Sequence, residues 1–116
     1  MAAPIELVDA PEAQRFEARR DGEFVGFVEY RRRPDTLVLV HTEVFPQFEG
    51  QGIGSALIRA TLDDVRRRGG TIAPVCPFVA AYLRRHPDQM DLVSPRYRDS
   101  FAAGVDLSED DAEDEA

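Results

Sequence analysis

Three glycines stand at alternate positions, Gly50, Gly52 and Gly54, within Phe48-Glu49-Gly50-Gln51-Gly52-Ile53-Gly54-Ser55. Without three β-carbons, successive backbone N–H groups can converge on one point and approach a ligand closely. A helical pattern follows at once, so the loop also carries the unpaired amides and partial positive charge of a helix N-terminus. Together these make an anion site, suited to phosphate, that requires no basic side chain. A tight strand-to-helix turn alone needs one glycine, not three. Other chemistry-bearing side chains are sparse. His41 and Glu43 lie two residues apart in a strand-like run. Histidine titrates near neutrality and suits proton removal, and glutamate can act through water when burial raises its pKa. Cys76 is the single cysteine, with neither His nor acid beside it in sequence to lower its pKa. Lone cysteines are more often packing residues. Tyr82 falls on a second helical run, and His86, after Arg84 and Arg85 and before Pro87, reads as a helix C-terminal cap. Two histidines far apart and one cysteine give no metal site.

The nucleotide loops of wider occurrence fail on residues. A Walker-type loop needs Gly-Lys-Ser/Thr, and all 14 basic residues here are arginine. The dinucleotide fingerprint needs Gly-x-Gly-x-x-Gly, but from Gly50 or Gly52 the sixth position is Ser55 or Leu57.

The elements that must position this loop can be read from periodicity. Residues 1–11 form a leader with a possible short strand, Ile5 to Val8. Gln14 to Arg20 and Glu23 to Arg33 flank Asp21-Gly22, a strong hairpin signal because both turn residues need positive φ. Arg33-Pro34-Asp35 supplies a second turn. Thr36 to Phe45 is rich in β-branched residues; simple alternation puts Leu37, Leu39, His41 and Glu43 on one face and Val38, Val40, Thr42 and Val44 on the other. From Ala56 to Arg68, after the loop, Ile53, Leu57, Ile58, Leu62 and Val65 mark one buried face of a helix. Arg66, Arg67 and Arg68 suit its C-terminal dipole, and Gly69-Gly70 stops it. Thr71 to Cys76 is a short strand, Phe78 to His86 a second short helix, and 88–104 a short turn of helix or a final strand around Leu92-Val93. A strand, a helix and a strand within this span imply a right-handed crossover between parallel neighbours. The expected fold class is therefore α+β: a mixed sheet, antiparallel meander first, then one β-α-β parallel pair and a short second helix.

This order and the loop sequence resemble the GNAT superfamily of acetyl-CoA-dependent N-acetyltransferases. Its signature, Gln/Arg-x-x-Gly-x-Gly/Ala, is matched at both glycines by Glu49-Gly50-Gln51-Gly52-Ile53-Gly54, and the helix continues Ser55-Ala56-Leu57-Ile58 in the family's style. A register starting at Gln51, with Gly54 and Ala56, also satisfies the pattern but fits the helix start less well. Val44-Phe45-Pro46 is similar to the family's approach to the loop. Glu49 departs from it, since a carboxylate beside a diphosphate is unfavourable; it is expected to point to solvent. Pro74-Val75-Cys76-Pro77-Phe78-Val79, then Tyr82 and Arg85-His86-Pro87, is similar to the short single-domain YjdJ-like branch. The resemblance covers residues 14 to 94, and no counterpart of the family's acceptor-covering helices lies between the strands.

The resemblance implies acetyl-CoA or coenzyme A lying between two splayed parallel strands, its diphosphate on the backbone of Gln51, Gly52, Ile53, Gly54 and Ser55. It implies that a backbone N–H on the Glu43–Phe45 strand edge polarises the thioester carbonyl, with Val44 and Phe45 both contacting the cofactor. His41 and Glu43 become candidate bases, and Tyr82 a candidate donor to the departing thiolate. Cys76 would lie near the cofactor thiol, as a transient acyl acceptor or a partner in a mixed disulfide. Arg84 and Arg85 could meet the ribose phosphate. The implied activity is transfer of an acyl group to an unidentified amine, small molecule or protein. The alternative is a coenzyme A binding module with little turnover, working through a partner.

Bulk properties agree. At 116 residues the chain is one domain with a single core. Its net charge of −8 is concentrated in residues 106–116, where seven acids and no base stand; elsewhere 15 acids face 14 bases. No basic surface for nucleic acid is expected, and the run of acids is expected to be disordered, making 105–116 a tail that could engage a basic partner or the arginine surface. The body, residues 12–104, carries the acyl-CoA site. The arginine runs 31–33 and 66–68 read as solvated. No apolar run suits a membrane span, Met1 to Pro11 does not read as a signal peptide, and one unpaired cysteine fits a cytoplasmic compartment.

Overall fold

The computed structural model describes residues 4–104 and Leu107. Five strands form one sheet in chain order: β1 (Glu6–Ala10), β2 (Arg15–Arg20), β3 (Glu23–Arg32), β4 (Thr36–Val44) and β5 (Thr71–Pro74). The first four pair antiparallel, and β4 with β5 parallel. Helix α1 (Ile53–Arg67) crosses between β4 and β5, α2 (Pro77–Arg85) follows, and α3 (Pro95–Ala102) is the last described element. The expected mixed sheet is therefore present, with the leader strand starting one residue and ending two residues later than read. Among the described residues no helix is long and apolar enough to cross a membrane.

Local chemistry explains the turns. Asp21 and Gly22 both adopt positive φ, 53° and 81°, and Arg20 pairs with Glu23 across them. The five apolar residues of α1 read from periodicity are all buried. Gly69 ends α1 at φ 72°, with Gly69 N–H donating to Arg66 C=O and Gly70 N–H to Val65 C=O, the pairing of a Schellman cap. Helix α1 packs on β3 and β4, so Leu57, Ile58 and Leu62 join Val28, Tyr30 and Leu39 in one core.

Three boundaries differ from the sequence reading. Helix α1 begins at Ile53 rather than Ala56, taking Gly54 into its first turn. Strand β5 stops at Pro74, since Pro77 and the turn to α2 follow. Residues 87–92 form a 3-10 turn, and Val93 makes one parallel bridge to Ile72, so both readings of this stretch hold in part before α3 begins. Leu107 is buried beside Pro74, Val75 and Pro77; the rest of the acidic segment expected to be disordered lies outside the described residues.

The alternation of β4 is also corrected. Tyr30 pairs with Leu39 but Glu29 with His41, so Val40 is an unpaired bulge residue. Neighbours Glu29 and Tyr30 point to opposite faces, and their partners must too. Leu39 therefore shares the helix-covered face with Thr42 and Val44, whereas His41 and Glu43 turn to the other.

Candidate functional site

Parallel pairing between β4 and β5 runs from Thr36↔Thr71 to Leu39↔Pro74 and then ends. Cys76 N–H still donates to Leu39 C=O at 2.7 Å, after which the chain turns away into α2. Among the described residues, the half of β4 beyond Leu39 thus has an unpaired edge. Phe45 N–H donates to Val25 C=O on β3. By strand alternation, the N–H groups of Val44 and Thr42 point the opposite way, into the gap. This is the splay that the family resemblance implied.

The glycine loop faces that gap. Gly50 and Gly52 have φ of 82° and 77°, a left-handed conformation that a β-carbon disfavours. Gly52 caps α1, and its C=O accepts from Ala56 N–H at 3.1 Å. Among the described residues no backbone acceptor is met by the N–H groups from Gly50 to Ser55. Thr42, Val44, Phe48, Glu49, Gly50, Gly52, Ile53, Gly54, Ser55 and Phe78 enclose a cleft of ≈ 380 Å³. Gly54 has a separate reason for its identity: a β-carbon there would lie 2.8 Å from the Phe78 ring, which packs across the helix start. So two of the three glycines shape the turn, and the third admits an aromatic ring. Free amides, a helix dipole and an open strand edge therefore meet in one cleft, able to bind an anion and polarise a nearby carbonyl.

The side chains singled out in sequence divide between several places. Val44, Gly52, Ile53, Gly54 and Ser55 line the cleft. Gln51 does not; its exposed side chain accepts a hydrogen bond from Arg20. Phe45 sits on the opposite face of the sheet, its ring 5.0 Å from Phe24, with its N–H and C=O already taken by Val25 and Phe48. Glu49 is exposed as expected, yet forms part of the cleft rim. Cys76 is buried, and its Sγ lies 3.3 Å from Oγ1 of Thr42, which reaches the cleft. It caps α2 with its carbonyl, receiving Ala80 N–H.

His41 and Glu43 lie on the open face, 55% and 49% exposed, with Nε2 of His41 3.3 Å from Oε1 of Glu43. Phe27 flanks His41 at 6.0 Å between ring centroids. Tyr82 lines a neighbouring groove with Ser55, Arg59, Asp63 and His86. Burial pushes its hydroxyl pKa upward, and its ring stacks on His86 at 4.0 Å. His86 is the α2 cap, donating from Nδ1 to the Tyr82 carbonyl at 2.8 Å. Arg85 is exposed at the end of α2 and lines neither space. The four candidate catalytic side chains are thus not gathered in one cleft. Among the described residues no group of three His, Cys, Asp or Glu is arranged to hold a metal.

Four residues missed in sequence contribute. Thr42 links Cys76 to the cleft, Phe78 roofs the loop, and Arg20 reaches Gln51 from the hairpin. Gly26 lies opposite Val44, where a β-carbon would meet the Glu43 carbonyl oxygen at 2.6 Å. A glycine inside a strand pattern is itself a signal for such close approach.

No match is found among curated proteins. The fold is similar to the solution structure of a GCN5-like protein from Staphylococcus aureus described as a candidate N-acetyltransferase. The TM-score is 0.59 at 21% identity, over 77% of this chain and 87% of that one. A family model described as GCN5-related N-acetyl-transferase matches residues 15–92, and the chain belongs to that family.

Proposed function

We propose that the protein transfers an acetyl group from acetyl-CoA to an amine. The observation that carries this is the meeting, in one cleft, of a β4 edge and of the amides of Gly50 and residues 52–55, both without backbone partners among the described residues. Such a cleft fits a ligand bearing a diphosphate at one end and a carbonyl at the other. When bound, the donor supplies a thioester open to attack by an amine. The loop amides would hold the diphosphate, and Thr42 or Val44 N–H would polarise the carbonyl. His41 and Glu43 stand on the uncovered face of β4, where an amine can arrive from solvent and lose its proton to the imidazole. Tyr82 is left out of this scheme because it lines the neighbouring groove. Cys76, behind Thr42, is a packing residue here rather than an acyl carrier. The unpaired thiol suits a reducing, cytoplasmic setting.

A thermal-shift comparison of acetyl-CoA, coenzyme A, ATP and NAD tests the reading. Ligand at about 100 times its Kd adds roughly 2.7 kcal/mol, a shift of many degrees in a domain this size. Stabilisation by both coenzyme A forms is expected; a response to ATP with none to either would end the assignment. One observation favours a second reading, a coenzyme A binding module with little turnover: the candidate catalytic side chains are dispersed. Labelled acetyl-CoA separates the two, since an intact thioester after long incubation with diverse amines supports the binder.

A further inference from the structure

The phosphate reading of the glycine loop needed no cation, but the structure brings one. Arg20 ends β2 at the Asp21-Gly22 turn, and its Nη1 donates to Oε1 of Gln51, 31 residues away. Its guanidinium also lies over the Phe48 ring, 5.4 Å from the centroid. Phe48 and the residues flanking Gln51 line the cleft. Other arginines near the sheet are matched: Arg15 and Arg19 both pair with Glu17. Among the described residues Arg20 has no carboxylate partner. Its hydrogen-bond acceptor there is a neutral amide, so a guanidinium without a carboxylate at ion-pair distance stands beside the loop.

We propose that Arg20 is the cationic side chain of the diphosphate site, delivered to the loop by the β2–β3 hairpin. This rests on the acetyl-CoA reading above. A diphosphate oxygen is a stronger acceptor than the Gln51 amide, so on binding the guanidinium moves from one to the other by side-chain rotation. The two-residue turn fixes the end of β2, and Phe48 supports the guanidinium plane, so little is lost in ordering it. Arg20 thereby offsets Glu49, the carboxylate on the cleft rim. Sequence alone gives no hint of this, because the cation comes from a distant strand.

The test compares wild type, Arg20→Gln and Arg20→Lys by calorimetric titration with acetyl-CoA and with 3′-dephospho-coenzyme A, at low and high salt. Arg20→Gln removes the charge while keeping a polar amide on a shorter side chain, whereas Arg20→Lys keeps the charge. The expected result is a loss of roughly tenfold in affinity for both ligands in Arg20→Gln, most of it restored in Arg20→Lys. The gap between wild type and Arg20→Gln should narrow at high salt. Arg20→Gln binding as wild type overturns the proposal, and so does a loss confined to the ligand that carries the ribose phosphate. Wild-type protein that binds neither ligand removes the acetyl-CoA reading and this proposal together. Wild-type binding with no effect of Arg20→Gln removes this proposal alone.

Discussion

Gly26→Ala should disturb the site from behind. Gly26 faces Val44 across the β3–β4 ladder, and a β-carbon on it would lie 2.6 Å from the Glu43 carbonyl oxygen and 3.3 Å from the Val44 Cα. Carbon normally rests about 3.3 Å or more from a carbonyl oxygen, so β4 must retreat by roughly 0.7 Å. Both obstructing atoms are backbone, so no rotamer change relieves the contact. Overpacking of this kind costs about 1–3 kcal/mol, partly offset by about 0.4–1 kcal/mol from the less flexible unfolded chain. At roughly 4–8 °C per kcal/mol, the midpoint of thermal unfolding should fall by about 5–15 °C. The retreat falls on the β4 segment that carries the Val44 amide. Displacements near 1 Å can cost on the order of a hundredfold in rate, so transfer should suffer more than stability. Gly70→Ala is the control: its β-carbon would meet nothing closer than 3.7 Å, and its midpoint should hold or rise. Scanning calorimetry and acetyl transfer at a temperature well below both midpoints check this. Gly26→Ala with wild-type midpoint and wild-type transfer would refute the close-approach argument and the role given to this stretch of β4.

Other outcomes are as specific. The hydrogen bond from Arg19, with Arg15 beside it, holds the buried Glu17 carboxyl below its usual value of 4.5 despite the opposing effect of burial. Its contribution is therefore present above that value and lost as pH falls through the lower folded one. Glu17→Gln should cost about 1–2 kcal/mol at pH 7 in urea unfolding, the difference closing as pH falls below 4.5; a gap independent of pH contradicts this. Gly54→Ala should leave stability within about 1 kcal/mol, because the obstructing atom is the far end of the 38%-exposed Phe78 ring and the helix gains in propensity. Acetyl-CoA affinity should nevertheless drop as the ring is displaced, and Phe78→Ala added to it should recover binding; additive losses would argue against a shared space. His41→Ala and Glu43→Gln should lower kcat by about a hundredfold, with acetyl-CoA affinity retained, since both sit on the face away from the loop. Equal losses in affinity would place them on the donor side instead.

The strands, turns and helix faces were legible because each rests on local pattern. Asp21-Gly22 specified its turn, Ile53 to Val65 their buried stripe, and Gly69-Gly70 their cap. The glycine loop was legible for the same reason, with Gly50 and Gly52 in the conformations their types permit. What failed depended on distant pairings. The bulge at Val40 arises from the match of β3 to β4, and it turned His41 and Glu43 away from the face that alternation gave them. Tyr82 was expected beside the departing thiolate because the family resemblance implies a donor there, yet it lines the groove beyond Ser55. Gly54 looked like a third loop glycine and answers to Phe78, 24 residues on. Arg20 and Thr42 carry no local signal at all.

Backbone amide shifts in a nitrogen-15 spectrum, followed as acetyl-CoA is added, test the central claim most directly. The amides of Gly50, Gly52, Ile53 and Gly54 should move together with those of Thr42 and Val44, tracing one ligand from loop to strand edge. Adenosine diphosphate should move the loop set and spare the strand set. Shifts confined to the groove of Tyr82, Arg59 and His86, with loop and strand amides unmoved, would contradict the account.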